Sequence, residues 1–157
     1  YNYRMSEINA ALGVAQVSRL DEILDNRRRV AHLYMNRLMT NRYLVLPTLA
    51  DDEHMSWFVF VVKLNDLFDP GDRDEIIQHL RKEGIGCNNY FPPIHLQPYI
   101  TESLGTKQGD FPVTEYVACR TLALPFFGRM TSKQVETVCD TLDRVLEKQL
   151  TKGKGRF

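Results

Sequence analysis

No long apolar run interrupts this sequence. The longest, residues 57–62, is far too short to cross a bilayer, and nothing at the start resembles a signal peptide, so no membrane partner is expected. Charge of one sign is also lacking: Lys plus Arg and Asp plus Glu both count 20, which leaves no basic field to draw nucleic acid. Cysteine is sparse and odd in number. Cys87, Cys119 and Cys139 stand far apart with no C-x-x-C spacing, so a disulfide framework is excluded and a reducing, cytoplasmic setting is expected. His32, His54, His79 and His95 are equally scattered, none at a zinc-ligand spacing from a Cys or carboxylate, and no metal is expected. No internal repeat is visible.

What is present is the composition of a water-soluble globular chain, 43% hydrophobic and 25% charged over 157 residues, enough for one domain with its own core. The first residue is Tyr1 rather than Met, which leads to the expectation of a fragment. Ser6 is a candidate N-cap. Behind it Ile8, Ala11, Leu12 and Ala15, then Leu20, Ile23 and Leu24, then Val30, Ala31, Tyr34 and Leu38 keep helical spacing, which predicts about 30 residues of helix running through the charged run Arg27, Arg28, Arg29. Residues 57–64, rich in aromatic and β-branched side chains, read as a central strand with Trp57, Phe58 and Phe60 as core residues. Gly71 and Asp72 open a helix with Glu75 at capping-box spacing, and Gly84 stops it. Residues 85–91 read as a strand and 92–109 as a Pro- and Gly-rich loop. A short helix from Pro112, a strand over residues 121–124, and a helix capped by Thr131 with Gln134 complete the pattern; Val135, Val138, Leu142, Val145 and Leu146 form the last helix's apolar stripe. The three cysteines read as buried small side chains and the arginine run as a structural, solvated face.

The fold class that follows is α+β: a small three-stranded, mainly antiparallel sheet with helices on one face and a long N-terminal helix. Residues 1–40 form a helical segment for interdomain or dimer contact, 41–150 the small α+β domain, and 151–157 a flexible tail with two glycines and no apolar anchor.

Several segments carry a resemblance. The opening Tyr1-Asn2-Tyr3-Arg4-Met5-Ser6-Glu7-Ile8-Asn9-Ala10-Ala11-Leu12-Gly13 is similar to a signature of the DegT/DnrJ/EryC1/StrS aminotransferases. Arg27-Arg28-Arg29, Gly84-Ile85-Gly86, Tyr90-Phe91-Pro92-Pro93-Ile94-His95-Leu96-Gln97-Pro98-Tyr99, and Leu124-Pro125-Phe126-Phe127 ahead of Met130-Thr131 follow in the family's order. The resemblance implies the C-terminal small domain of a type I fold, pyridoxal-phosphate-dependent enzyme that transfers an amino group, typically from glutamate, to a keto-sugar of a nucleotide-sugar. It implies a homodimer, with the Schiff-base lysine supplied upstream and this chain inactive alone. It assigns Asn2, and with it Arg4, to the cofactor phosphate of the neighbouring subunit; an amide and a cation just before a helix N-terminus suit a phosphate dianion. It assigns the loop bearing Tyr90, Phe91 and His95 to the active-site entrance, as nucleotide-sugar contacts. Against this reading stands a non-catalytic dimerisation or ligand-binding module of the same descent. An RNA-binding α+β domain is disfavoured by the neutral charge and the lack of a basic, aromatic-bearing strand.

Overall fold

The computed structural model describes residues 3–50 and 52–153. Among these, six α-helices and four strands follow one another as α1 Glu7–Val17, α2 Leu20–Leu38, β1 Leu44–Val45, β2 Phe60–Leu64, α3 Asp72–Lys82, β3 Asn88–Asn89, α4 Pro98–Leu104, α5 Pro112–Ala118, β4 Thr121–Leu124 and α6 Ser132–Gly153. The sheet order is β1-β2-β4-β3, with every pairing antiparallel. There are therefore four strands rather than three. The extra one, β1, is a two-residue edge strand pairing Leu44 with Leu64, too short to show the alternation by which a strand is read from sequence.

In the central pair Phe60 stands opposite Leu124 and Val62 opposite Leu122, so one pleat face carries Phe60, Val62, Leu64, Leu122 and Leu124 into the core. The buried stripes of α2 (Val30, Ala31, Tyr34, Leu38), α3 (Ile76, Ile77, Leu80) and α6 (Val135, Val138, Leu142, Leu146) belong to the same core. Phe60 is its hub, stacked on Tyr34 at 4.8 Å and on Trp57 at 5.7 Å between ring centroids. Gln149 of α6 donates to Asp72 and Glu75 of α3, tying the two helices together at one end.

The long N-terminal helix is two helices. It runs unbroken through Arg27, Arg28 and Arg29, but it breaks at Ser18 and Arg19, where the Ser18 hydroxyl donates back to the Ala15 carbonyl and Arg19 pairs with Glu22 to start α2. Neither Gly nor Pro marks the break. Ser6 caps α1 by accepting from the Asn9 amide at 3.4 Å. No residue of α1 is buried, and its large apolar side chains Ile8, Leu12, Val14 and Val17 are exposed.

The central strand starts at Phe60, three residues later than the apolar run implies. Trp57 adopts a left-handed backbone (φ 47°), which breaks the alternation, lets its ring stack on Phe60 and turns Phe58 out to 65% exposure. The cap of α3 is shifted as well. Asp72 accepts from the Asp69 amide at 2.7 Å while the Asp69 carbonyl accepts from the Asp72 amide at 3.0 Å, and Glu75 is not the capping partner. Gly84 (φ 81°) ends α3 through the bond from the Ile85 amide to the Leu80 carbonyl, as its conformational freedom allows. The strand expected over residues 85–91 shrinks to β3, and the loop over 92–109 contains a turn of 3-10 helix, Ile94–Leu96, and α4. The Thr131–Gln134 box is present in both directions, at 2.9 and 3.2 Å. Helix α6 includes residues 151–153, which the sequence assigns to the tail. Cys87 and Cys139 are buried as expected, whereas Cys119 is half-buried.

Candidate functional site

Helix α5 is the platform of the site. Pro112 occupies its first turn, and its C-terminal half is tied to α3 and to the loop after β2. Arg73 of α3, almost wholly buried, donates from Nη1 to the carbonyls of Ala118 at 2.8 Å and Thr121 at 3.2 Å, satisfying the C-terminal end of α5 and the start of β4 with one guanidinium. On the opposite side Tyr116 donates to Asp66 in the loop after β2, with the Arg120 guanidinium 4.2 Å above its ring and the Lys63 ammonium at 5.2 Å. That hydrogen bond from Tyr116 to Asp66 also raises the phenol pKa.

Glu115 projects from this platform under the loop that joins β3 to α5. Its Oε1 accepts from His95 Nε2 at 2.9 Å and from the Gly109 amide at 2.8 Å. The His95 hydrogen bond first, and the Gly109 amide second, hold its carboxyl below the usual carboxylate range. An ionised carboxylate only accepts, so His95 is the donor, through Nε2–H. The His95 ring lies 4.8 Å from Phe111, and the His95 carbonyl accepts from the Thr106 hydroxyl at 2.6 Å.

His95 is therefore not a loop-tip histidine: it is 8% exposed and engaged on Glu115. Its neighbours differ. Phe91 is 66% exposed and Ile94 74%, and the Tyr90 ring lies 4.4 Å from that of Phe91. The Tyr90 carbonyl accepts from Thr121 Oγ1 at 3.2 Å, which fixes the loop to β4. Tyr90, Phe91, Pro93 and Ile94 face Val113 and Val117 of α5 across a shallow, mainly apolar groove of about 380 Å³. The structure thus brings Tyr90, Phe91 and His95 into one loop, with the aromatic pair on its rim and the imidazole beneath. Arg4 is exposed, two residues ahead of the Ser6 cap of α1, and Asn2 lies outside the described residues.

The arginine run has structural partners. Arg28 pairs with Asp25 at 2.8 Å, and Arg29 donates to the carbonyls of Gly128 and Met130, so α2 fastens the turn after β4. Sequence reasoning missed Glu115, Thr106 and Arg73. Glu115 stands three residues after Pro112, in the first turn of a predicted helix, but its pairing with a histidine 20 positions away has no local signature. Among the described residues no cluster of His, Cys, Asp and Glu could hold a metal ion, and no helix is long and apolar enough to cross a membrane.

The sequence profile of the DegT/DnrJ/EryC1/StrS aminotransferase family matches residues 1–143. The spore coat polysaccharide biosynthesis protein SpsC of Bacillus subtilis is 30% identical over 148 residues, 94% of this chain and 38% of that protein. The uncharacterized protein MJ1066 of Methanocaldococcus jannaschii is 28% identical over 146 residues, 93% of this chain and 38% of its own length. The chain thus spans under two-fifths of the curated relatives it matches. Among solved structures, S. venezuelae DesV in complex with a ketimine intermediate superposes with a TM-score of 0.80 at 28% identity, over 92% of this chain and 37% of that one. PseC of Helicobacter pylori, an aminotransferase of pseudoaminic acid biosynthesis, shares the fold with a TM-score of 0.85 at 20% identity, over 94% of this chain and 39% of its own.

Proposed function

Because this chain belongs to the DegT/DnrJ/EryC1/StrS aminotransferase family, we propose that it is the small, C-terminal domain of a pyridoxal-phosphate-dependent enzyme that moves an amino group, typically from glutamate, onto a keto-sugar carried by a nucleotide. The observation that carries the reading is a family match over residues 1–143 in a chain whose β3–α5 loop offers an aromatic rim above a fixed helical platform. Pyridoxal phosphate, when bound, supplies the electron sink through which an amino group is transferred. The residues of this chain fit only its phosphate end. Asn2 and Arg4 precede the N-terminus of α1, where an amide donor, a cation and free helical N–H groups together favour a dianion.

The remaining needs of the cofactor are not met by the described residues. Lys63 is the one described lysine that is half-buried, the others being exposed, and its ammonium is engaged over the Tyr116 ring. In this reading the anchoring lysine and the acid facing the pyridine nitrogen come from the rest of the enzyme, and this chain alone is inactive. Phe91, Tyr90 and Ile94 would pack against the nucleotide-linked sugar, with His95 acting from beneath. The exposed apolar side chains of α1 would be covered by the remainder of the enzyme and by a second copy of it.

The test uses a complete enzyme containing this chain, with pyridoxal phosphate, glutamate and a panel of nucleotide-linked keto-sugars. Asn2→Ala is expected to weaken cofactor retention about ten- to a hundredfold, the equivalent of a hydrogen bond to a charged group worth about 1.5 to 3 kcal/mol. Phe91→Ala should instead raise KM for the sugar nucleotide with cofactor retention unchanged. An enzyme that holds the cofactor but aminates no member of the panel refutes the reading.

A further inference from the structure

The loop between β3 and α5 has an unusual distribution of side chains. Most of its large apolar residues, Phe91, Ile94, Tyr99 and Leu104 among them, are exposed, and none is fully buried, so apolar burial holds the loop down only weakly. Its inner contacts are polar. Thr106 closes on the His95 carbonyl, Lys107 closes on Asp110 through its amide, and both His95 Nε2 and the Gly109 amide converge on one oxygen of Glu115. Residues 95 and 109, near the two ends of the loop, are thus fixed by a single carboxylate. The helix that bears that carboxylate is in turn bonded to α3 through Arg73 and to the loop after β2 through Tyr116.

We propose that Glu115 is a positioning residue for the sugar-nucleotide site: by holding His95 and Gly109 together it sets where Phe91 and Ile94 stand, and thereby sets affinity for the nucleotide-linked sugar. The inference rests on the reading of this rim as the substrate contact given above. Glu115 sits below the rim, its side chain 18% exposed, and acts through His95 rather than by touching substrate. Two features make the role chemically specific. A charged acceptor shared by two donors is stronger than a neutral one. The reach is also fixed: Asp at this position is one methylene shorter and cannot span to both donors from the same backbone, whereas Gln keeps the length and one acceptor oxygen but loses the charge.

The experiment compares Glu115→Asp, Glu115→Gln and Phe91→Ala in a complete enzyme containing this chain, with UDP- and dTDP-linked 4-keto-6-deoxyhexoses as probes. Glu115→Asp is expected to raise KM about tenfold with kcat changed by less than about twofold, Glu115→Gln to give a smaller rise of about threefold, and cofactor retention to stay at the wild-type level. In the 157-residue chain itself, 15N NMR should show His95 losing its Nε2–H preference and the Gly109 amide losing protection in Glu115→Asp, and both to a smaller extent in Glu115→Gln, which keeps one acceptor oxygen, while amides of β2 and β4 keep theirs. If Phe91→Ala raises KM and Glu115→Asp does not, the positioning role is wrong and the rim reading stands. Should neither substitution move KM, the rim reading itself fails and the proposal falls with it. A uniform loss of protection across β2 and β4, or a fall in kcat at unchanged KM, marks Glu115 as merely structural and also overturns the proposal.

Discussion

Replacing Tyr34 by Phe removes one oxygen from the middle of the core, and the structure gives the size of the effect. Tyr34 is fully buried on α2, stacks on Phe60 and donates its hydroxyl to the Pro125 carbonyl at 2.6 Å, at the turn that follows β4. Burial also pushes the phenol pKa well up, so the group is neutral and a donor throughout the accessible range. In Tyr34→Phe the ring and its stacking remain, the donor is lost and the Pro125 carbonyl loses that bond, which costs about 1 to 2 kcal/mol. At about 2 to 4 °C per kcal/mol for a chain of this size, Tm should fall by roughly 2 to 8 °C. Urea unfolding followed by the fluorescence of the single tryptophan, Trp57, is the assay, because that indole is buried against Phe60 and reports loss of the same core. The midpoint should drop with an unchanged m-value. Tyr34→Leu, which also removes the ring, should cost more, about 3 kcal/mol or above. A Tyr34→Phe variant within about 0.3 kcal/mol of wild type would refute the claim that this bond fastens α2 to the end of β4.

Three further outcomes are expected. The Glu115 carboxyl is depressed below its ordinary 4.5, so the stability it lends the loop is fully present above that pH and is lost as pH falls through the lower folded value; protection of the Gly109 amide should decay only below about 4.5, and protection unchanged by acidification through that range would refute the role of this carboxylate. Thiol reagents at pH 8 should label Cys119 first, since Cys87 and Cys139 are buried with thiols pushed up, that of Cys139 to about 12, and rapid labelling of Cys139 would contradict its burial. Mixed with pyridoxal phosphate and reduced with borohydride, the 157-residue chain should yield no stoichiometric adduct at a single lysine, and one such adduct would overturn the view that the anchoring lysine lies elsewhere.

By itself the sequence determined whatever depends on short-range order. The periodicity of Val30, Ala31, Tyr34 and Leu38 and of Val135, Val138, Leu142 and Leu146 marked the buried faces of α2 and α6, because a helix places residues three and four apart on one side whatever it packs against. Ser6 and the Thr131–Gln134 box were legible because a cap is satisfied within four residues. The family motifs, read in order, were legible for the same reason. Only the tertiary structure decided features that join distant segments. Edge strand β1 exists because Leu44 finds Leu64, and β3 is confined to Asn88 and Asn89, which pair with Ala123 and Leu122 of β4. The aromatic run before Phe60 is bent at Trp57, whose left-handed backbone accompanies the stacking of its ring on Phe60. His95 reads as a surface residue in a Pro-rich stretch, and its burial becomes visible only when α5 brings a carboxylate to it across 20 positions. Hydrogen bonds between separate segments carry no periodicity, so the polar fastening of the site, Arg73 to α5 and Glu115 to His95 and Gly109, is a property of the folded chain alone.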